Sequence, residues 1–69
     1  MTTFSERERI AADHGYRFHE FYWRNAKGIG VHSLNDGGWF LSFPIGHPRH
    51  AEMTEYRTFT AALKAGNEA

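Results

Sequence analysis

Apolar and polar positions change period along this chain, and the changes mark its elements. Residues 4–14 carry a thin apolar stripe of Phe4, Ile10 and Ala11, with His14 beside it, among charged neighbours. That spacing predicts a short amphipathic helix. Ser5 and Glu8 match the S-x-x-E capping box, with Thr3 as a competing cap. Glu6 and Glu8 sit where the helix dipole favours negative charge. Gly15 suits the left-handed residue that ends a helix, and residues 1–3 are expected to be a loose start. Residues 16–45 then read Y-R-F-H-E-F-Y-W-R, N-A-K-G, I-G-V-H-S-L, N-D-G-G and W-F-L-S-F-P-I. Runs rich in aromatic and β-branched residues separated by turn formers predict an antiparallel meander, with strands over about 16–24, 28–34 and 39–45.

The alternation in the first run is broken. Tyr16 and Phe18 share one face, but an unbroken period puts Phe21 and Trp23 on the other. A bulge at His19–Glu20 would bring Tyr16, Phe18, Phe21 and Trp23 to one side; the other reading has large residues on both faces. The bulge is preferred, and Arg17, His19, Tyr22 and Arg24 then face away from the core. In the second run Ile29, Val31 and Ser33 alternate with Gly30, His32 and Leu34. Asp36-Gly37 favours a tight type I′ hairpin turn. Trp39, Leu41, Phe43 and Ile45 are expected to point inward, and Pro44 marks a strand end or edge.

Residues 46–54 leave two readings open: a long helix starting near Pro48, or a loop with a short extended piece. In either case Met53, Tyr56, Phe59 and Leu63 recur at helical spacing and predict a closing helix over about 54–65. Gly66 is its expected stop, and residues 67–69 are expected to be loose. The fold expected is α+β, in the order helix, three-stranded antiparallel meander, helix, as one small domain over residues 1–69. Both helices need the apolar sheet face bearing Phe18, Phe21, Trp23, Ile29, Val31, Leu41 and Phe43, so both are placed on it and the opposite face is left open.

Composition narrows what that open face can do. A 69-residue chain has a small core, and without cysteine neither a disulfide nor a Cys-based metal site can brace it. Six Phe, three Tyr and two Trp supply the bulk instead. Eight basic and eight acidic residues cancel, so the basic excess of a phosphate-binding protein and the acidic excess of a nucleic-acid mimic are both missing. No apolar run reaches membrane-span length and no signal-peptide pattern opens the chain, so the expected location is the cytoplasm. A monomer or weak homodimer is expected.

The open face would carry Arg17, His19, Tyr22, Arg24, His32 and Phe40, with Ser42 beside them. Exposed aromatics mixed with Arg and His suit a contact surface. Balanced charge favours a protein partner over stacked single-stranded bases. A second candidate surface is the loop bearing His47, Arg49 and His50, with Glu52 and Glu55 at the start of the closing helix. His47 and His50 form H-x-x-H without a matching ligand pair, so no metal is expected. Neither a nucleophile elbow nor a phosphate loop occurs, so no catalysis and no cofactor are expected.

The helix–meander–helix order resembles the double-stranded-RNA-binding domain. The loop and lysine cluster through which that family reads RNA are not matched, because N-A-K-G lacks the His and Glu52 and Glu55 stand where lysines are wanted. Over its full length, including the M-T-T-F-S-E-R-E opening and the W-F-L-S-F strand, the chain resembles anti-CRISPR proteins, in particular inhibitors of type I systems. That class shares no signature motif. The resemblance implies a phage or mobile-element protein that acts in the host cell by occupying a surface of the CRISPR surveillance complex or its nuclease. Some members imitate DNA with acidic surfaces. Here Glu6, Glu8, Asp13, Glu20, Glu52 and Glu55 are offset by interspersed Arg, which leaves only a local acidic patch on the helices.

Overall fold

A computed structural model describes residues 3–69. Of the expected loose start, Met1 and Thr2 lie outside the described residues. Helix α1 (Phe4–Asp13) begins at Thr3, whose Oγ1 accepts from the Glu6 N–H at 3.2 Å. Thr3, not Ser5, is therefore the cap. Gly15 adopts φ +83° as expected, and the Tyr16 N–H returns to the Ala11 carbonyl at 2.8 Å.

The α+β class holds, but the sheet has five antiparallel strands instead of three, in sequential order. They are β1 (Arg17–His19), β2 (Tyr22–Arg24), β3 (Gly30–Ser33), β4 (Trp39–Ser42) and β5 (Glu55–Tyr56). The first expected strand is a hairpin. Phe18 lies opposite Trp23 and His19 opposite Tyr22, so Glu20 and Phe21 form the loop. The Phe21 N–H donates to the His19 carbonyl at 2.7 Å, and Glu20 is held at φ 62°. The broken alternation therefore marks a reversal, not a bulge. Residues symmetric about a hairpin turn share a face, which still turns Arg17, His19, Tyr22 and Arg24 together, away from the core. Phe21, expected inside, is at the loop and 70% exposed, and Phe18 at the sheet edge is 41% exposed.

The next two hairpins use one device. The Asn25 N–H donates to the Ile29 carbonyl and the Gly28 N–H to the Asn25 carbonyl; Leu34, Gly37 and Gly38 repeat the arrangement. Gly28 and Gly37 take φ +83° and +93°. Each is a three-residue loop closed by a left-handed glycine, so the expected two-residue type I′ turn at Asp36-Gly37 is one residue longer. Asn25 Oδ1 accepts from the N–H groups of Lys27 and Ile29, both at 3.0 Å, which stiffens its loop from inside.

Between β4 and β5 the chain runs through turns, so the long helix from Pro48 does not form. Ile45, expected inward, is 91% exposed, because the ladder ends at the Gly30–Ser42 pair before Pro44. Helix α2 (Phe59–Glu68) starts later than expected, where Thr58 Oγ1 accepts from the Ala61 N–H at 3.1 Å. Tyr56 is therefore in a strand and Met53 is 70% exposed. Gly66 lies inside the helix, and Lys27 Nζ reaches the Asn67 carbonyl at 2.9 Å near its end.

Trp23 joins the layers. Its ring meets Phe4 of α1 at 5.5 Å and Phe59 of α2 at 5.5 Å. One side chain touching both helices places both on the same face of the sheet, as expected. Ile29, Val31, Leu41 and Leu63 complete a core that is closed to solvent.

Candidate interaction surface

Strand register assembles the opposite face. One row crosses the sheet from Arg17 to Arg24, Gly30 and Ser42. The adjacent row pairs His19 with Tyr22 and His32 with Phe40, and ends at Glu55 opposite Phe40. All six side chains expected on the open face, Arg17, His19, Tyr22, Arg24, His32 and Phe40, therefore share it. Arg17, His19 and Arg24 are exposed; Tyr22, His32 and Phe40 are half-buried.

The aromatic members form a ladder. Tyr22 and His32 stack at 4.6 Å and 5° between planes, and His32 and Phe40 stack at 4.7 Å and 15°. These separations match the spacing of neighbouring strands, about 4.8 Å, so the rings line up across the sheet. His32 has both faces covered, and His19 stands roughly perpendicular to Tyr22 at 5.6 Å. The Tyr22 ring leans over Gly30, where a Cβ would lie 2.8 Å from its Cδ2 and 2.6 Å from Ser42 Oγ. Only glycine admits that approach. Ser42 in turn holds the ladder's middle ring, with its Oγ 2.8 Å from His32 Nε2.

Burial between the rings lowers the His32 pKa from its ordinary 6.5. The fold thus favours neutral imidazole. Its contribution to stability is present above pH 6.5 and is lost as pH falls toward the lower folded value. Thermal melts between pH 7.5 and 5 test this: the melting temperature should drop toward acid, and His32→Gln should remove part of the drop. An unchanged pH profile in the variant would refute the assignment.

Phe21 belongs to this surface although the expected bulge put it inside. Its ring is 5.3 Å from Tyr22 and 6.0 Å from His32. The only signal for this was the interrupted alternation around Glu20. Glu55 joins the face as well, on β5 and not on a helix, because the helix starts later than periodicity suggested.

The loop candidates go elsewhere. His47 stacks on Phe43 at 4.9 Å and its Nδ1 accepts from the Arg49 N–H at 3.0 Å. Arg49 lies 4.8 Å over the same Phe43 ring and pairs with Glu52 at 3.2 Å. His50 Nδ1 lies 3.2 Å from the Phe43 carbonyl. This loop is tied to Phe43 through His47, Arg49 and His50, with Glu52 paired to Arg49, while His50 and Glu52 stay exposed. Glu52 lies in the loop and Glu55 in a strand, so neither stands on the closing helix as expected.

Among the described residues no three His, Asp or Glu side chains converge to hold a metal, and no helix is long and apolar enough to cross a membrane. No protein-family model, curated protein or solved structure matches the chain.

Proposed function

We propose that the chain is a non-enzymatic binding protein that seats its open sheet face on another protein. In its specific form, this is an anti-CRISPR inhibitor occupying a protein subunit of a type I surveillance complex. The single observation that carries the reading is the Tyr22–His32–Phe40 ladder on the side of the sheet opposite both helices. The protein spends its aromatic residues on two faces, although only one face builds the core. Rigid aromatic rings flanked by Arg suit the centre of a protein interface. The ladder also disfavours base stacking, since a nucleic-acid platform needs ring faces turned outward and those of His32 are both covered.

The test has two readouts. Phage plating on a host with an active type I system, with and without the protein, reports inhibition. Gel filtration with the purified surveillance complex reports binding. Tyr22→Ala and Phe40→Ala should each weaken association by about 2 kcal/mol or more, on the order of 30-fold, as interface anchors do. Their melting temperatures should fall far less than that of Trp39→Ala, because these rings cover no helix. No inhibition and no co-elution would eliminate the anti-CRISPR form. Ladder variants that unfold would show that the rings serve stability. The second reading, a small nucleic-acid-binding module, is favoured by Arg17 and Arg24 standing opposite each other. Fluorescence titration with single-stranded oligonucleotides at two salt concentrations decides it, since phosphate contacts weaken steeply with salt.

A further inference from the structure

Strand β1 is an outer strand whose single sheet neighbour is β2, and all three of its residues are exposed. On its far side, away from the Arg17–Arg24 and His19–Tyr22 pairs, the Phe18 N–H and C=O face outward, a short template for another extended chain. On the open face of this edge Arg17 lies directly across from Arg24. Like charges in direct opposition across a ladder oppose folding. Proteins usually relieve such a pair with a carboxylate. The single ion pair among the described residues is Arg49 with Glu52, so neither guanidinium is neutralised. His19 stands two residues along on the same face. A depression of about 350 Å³ opens beside the pair, walled by Arg17, Phe18, His19 and Arg24, and no carboxylate lines it.

We propose that this basic edge takes an extended, carboxylate-bearing segment of a partner protein, which adds to the sheet alongside β1. Side chains of an added strand alternate between faces, so acidic residues at positions i and i+2 of that segment would share the open face. One meets Arg17 within reach of Arg24; the other lies beside His19. The free backbone edge separates this occupant from phosphate, which has no use for a strand template. Three basic groups on a chain of zero net charge also fall short of what a nucleic-acid backbone requires. The inference rests on the reading that this side of the sheet binds protein, and it adds the partner's chemistry.

The experiment titrates the isotopically labelled full chain with a short peptide of alternating Glu and Thr, followed by amide chemical shifts. A Lys–Thr peptide, inorganic phosphate and a single-stranded oligonucleotide are the comparisons. The Glu peptide alone should shift the amides of Arg17, Phe18 and His19. The double variant Arg17→Gln, Arg24→Gln should lose about tenfold or more in affinity while melting at the same or a higher temperature. Phe40→Ala should bind the peptide normally. Equal binding of the Lys peptide, unchanged affinity in the double variant, or no binding by either peptide overturns the proposal. Tighter binding of phosphate or oligonucleotide at the same amides overturns it in favour of a phosphate site. If the peptide result fails while Phe40→Ala still abolishes inhibition of the surveillance complex, the edge proposal falls and the sheet-face reading stands. If the peptide binds as expected while Phe40→Ala leaves inhibition intact, the sheet-face reading falls and the edge site remains.

Discussion

Gly66→Ala should destabilise the protein by about 1–2 kcal/mol, the reverse of what this substitution does in an ordinary helix interior, where alanine gains about 1 kcal/mol. Gly66 is buried in α2, and a Cβ there would run into the Tyr16 hydroxyl and lie 3.2 Å from Ile29 Cγ2. The hydroxyl cannot swing aside cheaply. Tyr16 is 1% exposed, and its Oη donates to the Leu63 carbonyl at 2.8 Å. Burial pushes the phenol pKa up to about 12, so the proton is retained for that bond. Alanine therefore forces a choice between overpacking, which costs about 1–3 kcal/mol, and breaking a buried hydrogen bond at a similar cost. Urea melts measure the effect. Tyr16→Phe removes the colliding atom, so the double variant Gly66→Ala, Tyr16→Phe should be more stable than Gly66→Ala alone. Additive losses would mean that the two residues do not meet as described.

Trp39→Ala should cost about 3–5 kcal/mol, as deletion of a buried aromatic does. For a domain of this size that approaches the whole stability, so the variant should be largely unfolded at 25 °C by circular dichroism. Trp39 is 7% exposed, its ring is 4.6 Å from Phe59, and the Arg7 guanidinium lies 5.1 Å above it. It thus ties the sheet to both helices at once. Trp39→Phe should recover much of the loss. Its sequence neighbour Phe40 points to the other face, and the contrast between a folded Phe40→Ala and an unfolded Trp39→Ala reads out the division of the sheet directly. Equal melting temperatures for the two variants would show that the faces are not distinct in energy.

The two faces also bear on how the protein can be used. Residues that hold the fold and residues available for contact alternate along the same strands. A change on the open face therefore leaves the core contacts in place, which lets the proposed binding be tested apart from folding. Gly30 and Ser42 act on that face indirectly, shaping the ladder from the row beside it. A larger residue at Gly30 would displace Tyr22 without touching the core.

Local chemistry by itself determined much of this protein. The class, the first helix, the two glycine-closed turns, and the alternation of Trp39 and Leu41 against Phe40 and Ser42 all follow from periodicity and turn residues acting over a few positions. Tertiary contacts decided the rest. Whether the chain bulges at His19–Glu20 or reverses at Glu20–Phe21 depends on which partner Trp23 finds, and it pairs with Phe18 on one side and Val31 on the other. Tyr56 has helical spacing with Phe59 and Leu63, yet Glu55–Tyr56 extends because β4 offers a free edge to pair with. Gly66 reads as a helix stop, but the space it leaves is filled by a tyrosine 50 positions earlier in the chain. The stacking of Tyr22, His32 and Phe40 likewise joins three strands and has no trace in the spacing of any one of them. Periodicity assigns a residue to a face; only the pairing of distant segments decides what stands beside it.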